Sequence, residues 1–377
     1  MANFLPVALL GLDSAELAAL IQSEGEPGYR AQQLVEAVYR QRVGSIEQIT
    51  TLPQQLRLRL AAKGISIGMP AIEQRFVSED GTVRYLMGLA DSQTVETVWM
   101  PEGDGGEAGD GTEAGDSAAS GAVRAWDRAT ICISSQVGCA VDCQFCLTAL
   151  LGVKRNLSPG EIVGQVCAVL KDQKVSPPED RINLVFMGMG EPFLNYDNFM
   201  KAVRLLVQEV GVAESRMTVS TAGIVPRIRD FGQEPIRPKL AISLNASNDE
   251  LRTLLMPLNR KWNLAKLLTA AREFPLRNRE RITFEYVLLS AVNDSLQNAK
   301  ELVELLRGMR AKVNLIALNP GPGIGFSTPA EERVAAFRQA LIAAGIPTFV
   351  RRPRGRDIYA ACGQLKRTVE IAAAPGS

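Results

Sequence analysis

The feature that most constrains the fold is a regular alternation of short β-branched runs and amphipathic stretches from residue 128 onward. The candidate strands are 129–134, 182–189, 217–221, 240–245, 282–289 and 313–319. The candidate helices are 159–170, 198–210, 248–255, 264–274, 296–309 and 331–344. This alternation predicts an α/β fold with a parallel sheet, either doubly wound or rolled into a barrel.

The positions of the polar residues favour the barrel. Segments 136–146, 188–191 and 243–245, together with Ser220 and Asn319, lie at or just beyond the carboxyl ends of predicted strands. In barrel enzymes that face carries the chemistry. We therefore predict a partial (β/α)6 TIM-like barrel over residues 127–350, with its functional site at that face.

The absence of histidine from all 377 residues narrows the chemistry. A Ser-His-Asp triad, an HExxH zinc site and a Cys2His2 finger are all excluded. Acid–base work therefore falls to carboxylates, thiols, lysines or tyrosines.

Four further regions surround the predicted barrel. Residues 1–75 hold three amphipathic helical patterns and predict a small amino-terminal helical domain. Alternation across 83–100 predicts a β-hairpin within the linker 76–101. Residues 102–126 are rich in glycine and acids and predict a disordered insertion, since they offer little to bury. Residues 351–377 form a basic carboxyl-terminal tail.

Charge is distributed unevenly along the chain. The net charge is +1, but the insertion contributes six acids between residues 102 and 116, so the rest of the chain carries +7. The tail contributes Arg351, Arg352, Arg354, Arg356, Lys366 and Arg367 against Asp357 alone over residues 351–367. A binding surface for a polyanion and a solvated basic surface both remain open.

Hydropathy and cysteine usage indicate the compartment. No stretch approaches the ~18 apolar residues of a membrane span, and the first residues do not resemble an export signal. We therefore expect a cytoplasmic protein, in which thiols stay reduced and clustered cysteines serve metal binding or catalysis.

A cysteine loop follows the first predicted strand of the barrel. Cys139, Cys143 and Cys146 form a CxxxCxxC pattern with Phe145 before the last thiol. Three thiolates hold three irons of a cubane cluster and leave the fourth iron open, whereas an electron-transfer cluster normally takes four cysteines. The alternatives are chance clustering and a zinc site that borrows Cys132 or Cys167. The spacing favours the open-iron cluster.

With this loop the chain resembles the radical S-adenosylmethionine (SAM) enzymes, and within them the RlmN/Cfr family of RNA methyltransferases. The resembling segments are the helical unit, 95–97, 128–132, 134–139, 188–191, 220–223, 243–246 and 354–365. The resemblance implies a [4Fe-4S] cluster on Cys139, Cys143 and Cys146. It also implies a SAM site, formed by Gly190, Glu191, Ser220, Ser243, Leu244, Asn245 and Asn319.

The resemblance to RlmN-type enzymes also implies a reaction. The product would be 2-methyladenosine in the peptidyl-transferase region of 23S rRNA and next to the anticodon of tRNAs, at two SAM per turnover. Cys362 would carry an S-methyl intermediate, Cys132 would resolve the adduct through a transient disulfide with Cys362, and Glu96 would accept a proton. A monomer served by an electron donor such as flavodoxin or ferredoxin is implied as well.

Three alternatives remain open from the sequence. One is a C8-directed methyltransferase of the same group, and another is a non-catalytic iron–sulfur protein that binds RNA. In the third, Cys132 and Cys362 are inert buried thiols, and Glu96 is an exposed carboxylate on a strand. Cys167 lies in an apolar helical pattern, which predicts that its side chain packs in the core. Family members often have histidine at position 245, where this chain has asparagine.

Overall fold

The computed structural model describes residues 8–102, 126–361 and 363–365. Residues 103–125 of the predicted insertion lie outside the described residues, as do Cys362, Lys366 and Arg367.

The first described elements are three short helices. They are α1 (Ser14–Ser23), α2 (Tyr29–Val35), continued by a π-helical turn at Glu36–Arg40, and α3 (Gln54–Ala62). Asp13 caps α1 by accepting from the Glu16 amide, and the Glu16 carboxylate accepts from the Asp13 amide in return. The buried Arg42 joins this helical unit to the rest of the molecule by donating to the Val175 carbonyl at 3.1 Å.

The strands form one ten-stranded sheet and a separate small hairpin. They are β1 (Ala71–Val77), β2 (Val83–Gly88), β3 (Thr94–Glu102), β4 (Arg128–Cys132), β5 (Gln136–Gly138), β6 (Val153–Asn156), β7 (Ile182–Phe186), β8 (Met217–Thr221), β9 (Lys239–Ser243), β10 (Ile282–Leu288), β11 (Ala311–Ala317) and β12 (Thr348–Val350). The order in the large sheet is β1-β2-β3-β4-β7-β8-β9-β10-β11-β12, while β5 and β6 pair with each other.

The large sheet changes character at β4. Strands β1 to β4 pair antiparallel, and from β4 through β7 to β12 every neighbour is parallel. The six predicted parallel strands and the β2–β3 hairpin are confirmed. Strands β1 and β12 and the small β5–β6 hairpin were not predicted.

Seven helices accompany the parallel strands. They are α4 (Pro159–Asp172), α5 (Tyr196–Leu205), α6 (Val225–Gln233), α7 (Asp249–Leu255), α8 (Leu264–Glu273), α9 (Leu296–Leu306) and α10 (Glu331–Ala343). All were predicted except α6, which buries Val225, Ile228 and Phe231 on one side. Within the described ranges, no helix is both long and apolar enough to cross a membrane.

The two faces of the parallel sheet differ in polarity. One face carries large apolar residues that meet the helices, as in the ring contacts of Phe186 with Phe199 of α5 and of Tyr286 with Phe337 of α10. Register places mostly polar residues on the other face, in the positions Thr130, Cys132, Asn183, Thr218, Ser220, Ser243, Thr283, Glu285 and Asn314. The sheet therefore encloses a polar interior, which suits a binding site.

Candidate active site at the carboxyl ends of the strands

Two predicted cofactor residues converge on a buried carboxylate. Ser220 of β8 donates to Glu285 Oε2 at 2.5 Å, and Ser243 of β9 donates to the same oxygen at 3.4 Å. Arg351, just after β12, lies with Nη1 3.6 Å from the other oxygen of Glu285. Arg351 therefore points into the barrel, not outward with a basic surface. Glu285 was missed because one carboxylate inside an apolar strand pattern gives no signal of its own.

The interior also holds an incompletely satisfied amide. Asn314 is fully buried on β11 and pairs in register with Glu285 on β10. Neither polar atom of its side chain has a hydrogen-bond partner among the described residues. Because burying an unpartnered amide costs free energy, this position fits a polar ligand inside the barrel.

The segment 188–191 brings a carboxylate beside the cysteine loop. Gly190 has φ +98°, and a Cβ there would lie 2.6 Å from the Gln136 amide nitrogen, so only glycine fits. Glu191 accepts from the amides of Phe193 at 3.0 Å and Ala222 at 2.7 Å. Burial raises the pKa of Glu191 to about 7, although these hydrogen bonds act to lower it. A cationic amino group placed beside it would favour its ionised form.

Leu244 and Asn245 are held by contacts within the protein. Asn245 adopts a left-handed backbone (φ 59°), accepts from the Val287 amide at 2.9 Å and donates to Met256 Sδ at 3.3 Å. Leu244 is buried, and its amide donates to the Glu285 carbonyl at 2.9 Å. Both residues fix the chain at the end of β9 beside Ser243.

The cysteine loop runs from β5 to β6 and is anchored on several sides. Gln136 accepts from the amides of Ala140 at 3.3 Å and Glu191 at 3.0 Å, which ties the loop to the segment 188–191. The Gln144 amide donates to the Leu255 carbonyl at the end of α7. The Cys139 sulfur accepts from the Val141 amide at 3.4 Å. These hydrogen bonds fix the loop at the carboxyl ends of the strands.

The thiols of the loop are suited to a cationic partner. Burial raises the pKa of Cys139 to about 12 and that of Cys143 well above its usual value, and the charges of Cys146 and Glu191 add to both shifts. An iron–sulfur core would offset this by binding thiolates. Among the described residues, no three cysteine, aspartate or glutamate side chains are placed so that they could hold a single metal ion. A cubane has a different requirement, because each thiolate binds its own iron.

The chain around Cys362 contacts this loop. Cys362 itself lies outside the described residues, but the Gly363 carbonyl accepts from the Leu147 amide at 2.7 Å. A Cβ at Gly363 would lie 3.8 Å from Cys146 Sγ. Asn319 belongs to the same region, since its side-chain oxygen accepts from Arg356 at 2.8 Å and its carbonyl from Gln364 at 3.2 Å.

Cys132 and Glu96 share the inner face of the sheet. Cys132 is a buried cysteine that pairs in register with Val98 of β3 and Val185 of β7. Glu96 lies two residues before Val98 and so points to the same side. It is fully buried and forms an ion pair with Arg84, so the reading of Glu96 as an exposed strand carboxylate is wrong. Cys167 is buried in α4, as predicted.

Comparison with known proteins gives two family models and close relatives. The radical SAM superfamily model matches residues 133–306. The model for the N-terminal domain of ribosomal RNA large subunit methyltransferase matches residues 7–65. A probable dual-specificity RNA methyltransferase RlmN from Koribacter versatilis is 68% identical, over 91% of this chain and 97% of that protein. The dual-specificity RNA methyltransferase RlmN of Syntrophobacter fumaroxidans is 44% identical, over 96% and 98%.

A solved structure agrees with these relatives. The crystal structure of a radical SAM methyltransferase from Sphaerobacter thermophilus superposes with a TM-score of 0.84 at 42% identity, over 95% of this chain and 99% of that one. The fold and the cysteine loop thus define a radical SAM enzyme. The chain belongs to the RlmN family of radical SAM RNA methyltransferases.

Proposed function

We propose that this protein methylates C2 of an adenosine in the peptidyl-transferase region of 23S rRNA and of an adenosine next to the anticodon in tRNAs, in the cytoplasm. The family supports an RNA methyltransferase of dual specificity. C2 of an adenine is an aromatic carbon without a lone pair, so it cannot attack an electrophilic methyl group directly. A radical route through an S-methylcysteine on Cys362 meets that requirement.

The contact of Gly363 with the cysteine loop carries this proposal. Gly363 follows Cys362 directly, and its carbonyl is held by the Leu147 amide next to Cys146. Ala361, on the other side of Cys362, is buried. A methyl-accepting thiol must lie near the cofactor that donates the methyl group, and these neighbours support such a position.

Cluster and cofactor would be held by this chain's own side chains. Cys139, Cys143 and Cys146 would hold a [4Fe-4S] cluster, and Gly190, Glu191, Ser220, Ser243, Leu244, Asn245 and Asn319 would surround SAM. When bound, the pair supplies a methyl group from one SAM molecule and, by one-electron cleavage of a second, a radical that abstracts hydrogen. Glu191 would hold the amino group, and the Ser220, Ser243 and Glu285 network the hydroxyl groups.

Three residues would then carry the substrate chemistry. Cys362, as thiolate, accepts the methyl group and, after losing one hydrogen atom from it, bonds through that carbon to C2 of the adenine. Glu96 takes the proton from C2, and the surplus electron would return to the bound cluster. Cys132 forms a disulfide with Cys362 as the carbon–sulfur bond breaks, and the freed carbon takes a proton to become the methyl group of the released RNA. Reduction of that disulfide restores both thiols for the next turnover.

RNA must present the adenine out of its stack to reach this interior. The amino-terminal helices and the exposed arginines of the tail are the proposed contacts with RNA. Arg351 is excepted, since it binds Glu285 inside the barrel. A flavodoxin or ferredoxin would supply electrons, and we propose that the protein works as a monomer.

The regiochemistry has a direct test. Ribosomal RNA from a strain lacking this enzyme is incubated with the reconstituted protein, SAM and reductant, then digested to nucleosides. We expect a methylated adenosine that matches authentic 2-methyladenosine in mass and retention. A product that matches 8-methyladenosine would establish the C8 alternative instead, and reduced, cluster-loaded protein that never forms 5′-deoxyadenosine would favour the non-catalytic alternative.

Asn314 offers a test of the interior as the SAM site. Replacing it with leucine, which has a similar shape, removes an unpartnered buried amide, so the free energy of unfolding should rise by about 1 kcal/mol. Affinity of the reconstituted protein for SAM should fall about tenfold, or ~1.4 kcal/mol. Urea unfolding and equilibrium dialysis measure the two effects. A more stable variant with unchanged SAM affinity would remove Asn314 from the site.

A further inference from the structure

Arg252 of α7 is a fully buried guanidinium held by neutral groups. It donates to the carbonyls of Ala222 at 2.7 Å and Leu244 at 3.2 Å, and to Asn259 Oδ1 at 3.0 Å. Longer contacts reach the carbonyls of Ser243 at 3.3 Å and Trp262 at 3.5 Å. Arg252 thus links the chain ends that follow β8 and β9, where the proposed cofactor residues stand.

No carboxylate of the described residues contacts the guanidinium of Arg252. Of the other buried arginines among the described residues, Arg84 and Arg237 form ion pairs with Glu96 and Glu280, and Arg42 donates to the Val175 carbonyl. Within the described part of the chain, no carboxylate lies within 4.0 Å of Arg252. Asp249 is near enough to act on it, but its carboxylate accepts from Asn259 and the Leu264 amide. A cation removed from water needs a compensating anion, which the described side chains do not place in contact with it.

The cysteine loop is the neighbouring source of negative charge. The Gln144 amide, next to Cys143, donates at 3.0 Å to the carbonyl of Leu255, which lies three residues beyond Arg252 on α7. Ala222, Leu255 and Met256 form one apolar cluster against which Cys139 and Cys143 pack. Arg252 therefore lies on the helix that contacts the cysteine loop from behind.

We propose that Arg252 is the buried counter-charge of the iron–sulfur cluster on Cys139, Cys143 and Cys146, and that it raises the cluster's reduction potential. This inference rests on the cluster of the proposed function. Three thiolates outweigh the positive charge of a cubane core, and reduction adds a further negative charge. A fixed cation in a dry environment stabilises the reduced state more than the oxidised state, so the cluster accepts its electron more readily.

The test compares cluster potentials in variants reconstituted without oxygen, by redox titration followed by electron paramagnetic resonance. In Arg252→Gln the equilibrium constant for reduction should fall about tenfold or more, a shift of ~59 mV to lower potential for each factor of ten. Arg252→Lys keeps the charge and should stay within about threefold of wild type. Asn259→Asp, which places a carboxylate on the guanidinium, should lower the potential as the glutamine variant does.

Arg237→Gln is the matched control, because Arg237 is equally buried and is paired with Glu280. It should lower stability and leave the potential unchanged. A wild-type potential in Arg252→Gln would overturn the inference. If Arg252→Gln holds no cluster, a wild-type potential in Asn259→Asp would overturn it instead. Wild-type protein that assembles no [4Fe-4S] cluster would instead contradict the proposed function, so the two failures are distinguishable.

Discussion

Replacing Cys362 with alanine is expected to lower methylation of RNA by at least about 10³-fold, because the reaction would lose its covalent carrier. The cluster should still assemble on Cys139, Cys143 and Cys146, and RNA binding should persist. The measurements are transfer of a labelled methyl group to RNA, the visible absorption of the cluster and RNA binding by filter retention. A loss of turnover with an intact cluster would assign Cys362 to the chemistry.

A companion variant and a control sharpen this experiment. Cys132→Ala should accumulate protein covalently joined to RNA, since the thiol proposed to resolve the adduct is gone, and denaturing gels reveal that species. Cys167→Ala removes another buried thiol, in α4, and should turn over like wild type. Methylation by Cys362→Ala at the wild-type rate would contradict the mechanism. Equal adduct in Cys132→Ala and Cys167→Ala would remove Cys132 from it.

The sequence predicted the strands of the barrel well, because their patterns are strong and local. β8 begins and ends at the predicted residues, and the other five predicted strands differ from the observed ones by a few residues at their ends. β12 is only three residues long, too short for a pattern. α6 contains Pro226 and Gly232, which obscure its helical period although it buries a regular apolar stripe.

Only part of the site was predicted, because some of its polar side chains stand alone within apolar or amphipathic patterns. Ser220 and Ser243 were found from their positions at strand ends. Glu285, Asn314 and Arg252 were not, because a single polar residue in an apolar or amphipathic pattern is usually solvent-exposed. Only the pairing of β10 with β11 shows Glu285 and Asn314 side by side on the inner face. Such partners are distant in sequence, so no local spacing marks them.

Breaking the buried pair of Arg84 and Glu96 is expected to give the largest loss of stability. In Arg84→Met the carboxylate of Glu96, which is fully buried, loses its guanidinium partner. Removing one partner of a buried pair typically costs about 3–5 kcal/mol. The free energy of unfolding in urea, measured on cluster-free protein, provides the comparison with wild type. A loss below about 1 kcal/mol would show that the pair contributes little in this environment.

The same pair separates a structural from a catalytic role of Glu96. The double variant Arg84→Met, Glu96→Leu removes both charges together, and such replacements are often neutral, so its stability should return to within about 1 kcal/mol of wild type. Turnover should not return, because the proton acceptor is missing, and general-base removal costs about 10²–10⁴-fold in rate. A double variant that is stable and active would confine Glu96 to a structural role. If Glu96 has an acid–base function, the double variant should regain stability but not turnover, because it repairs only the packing.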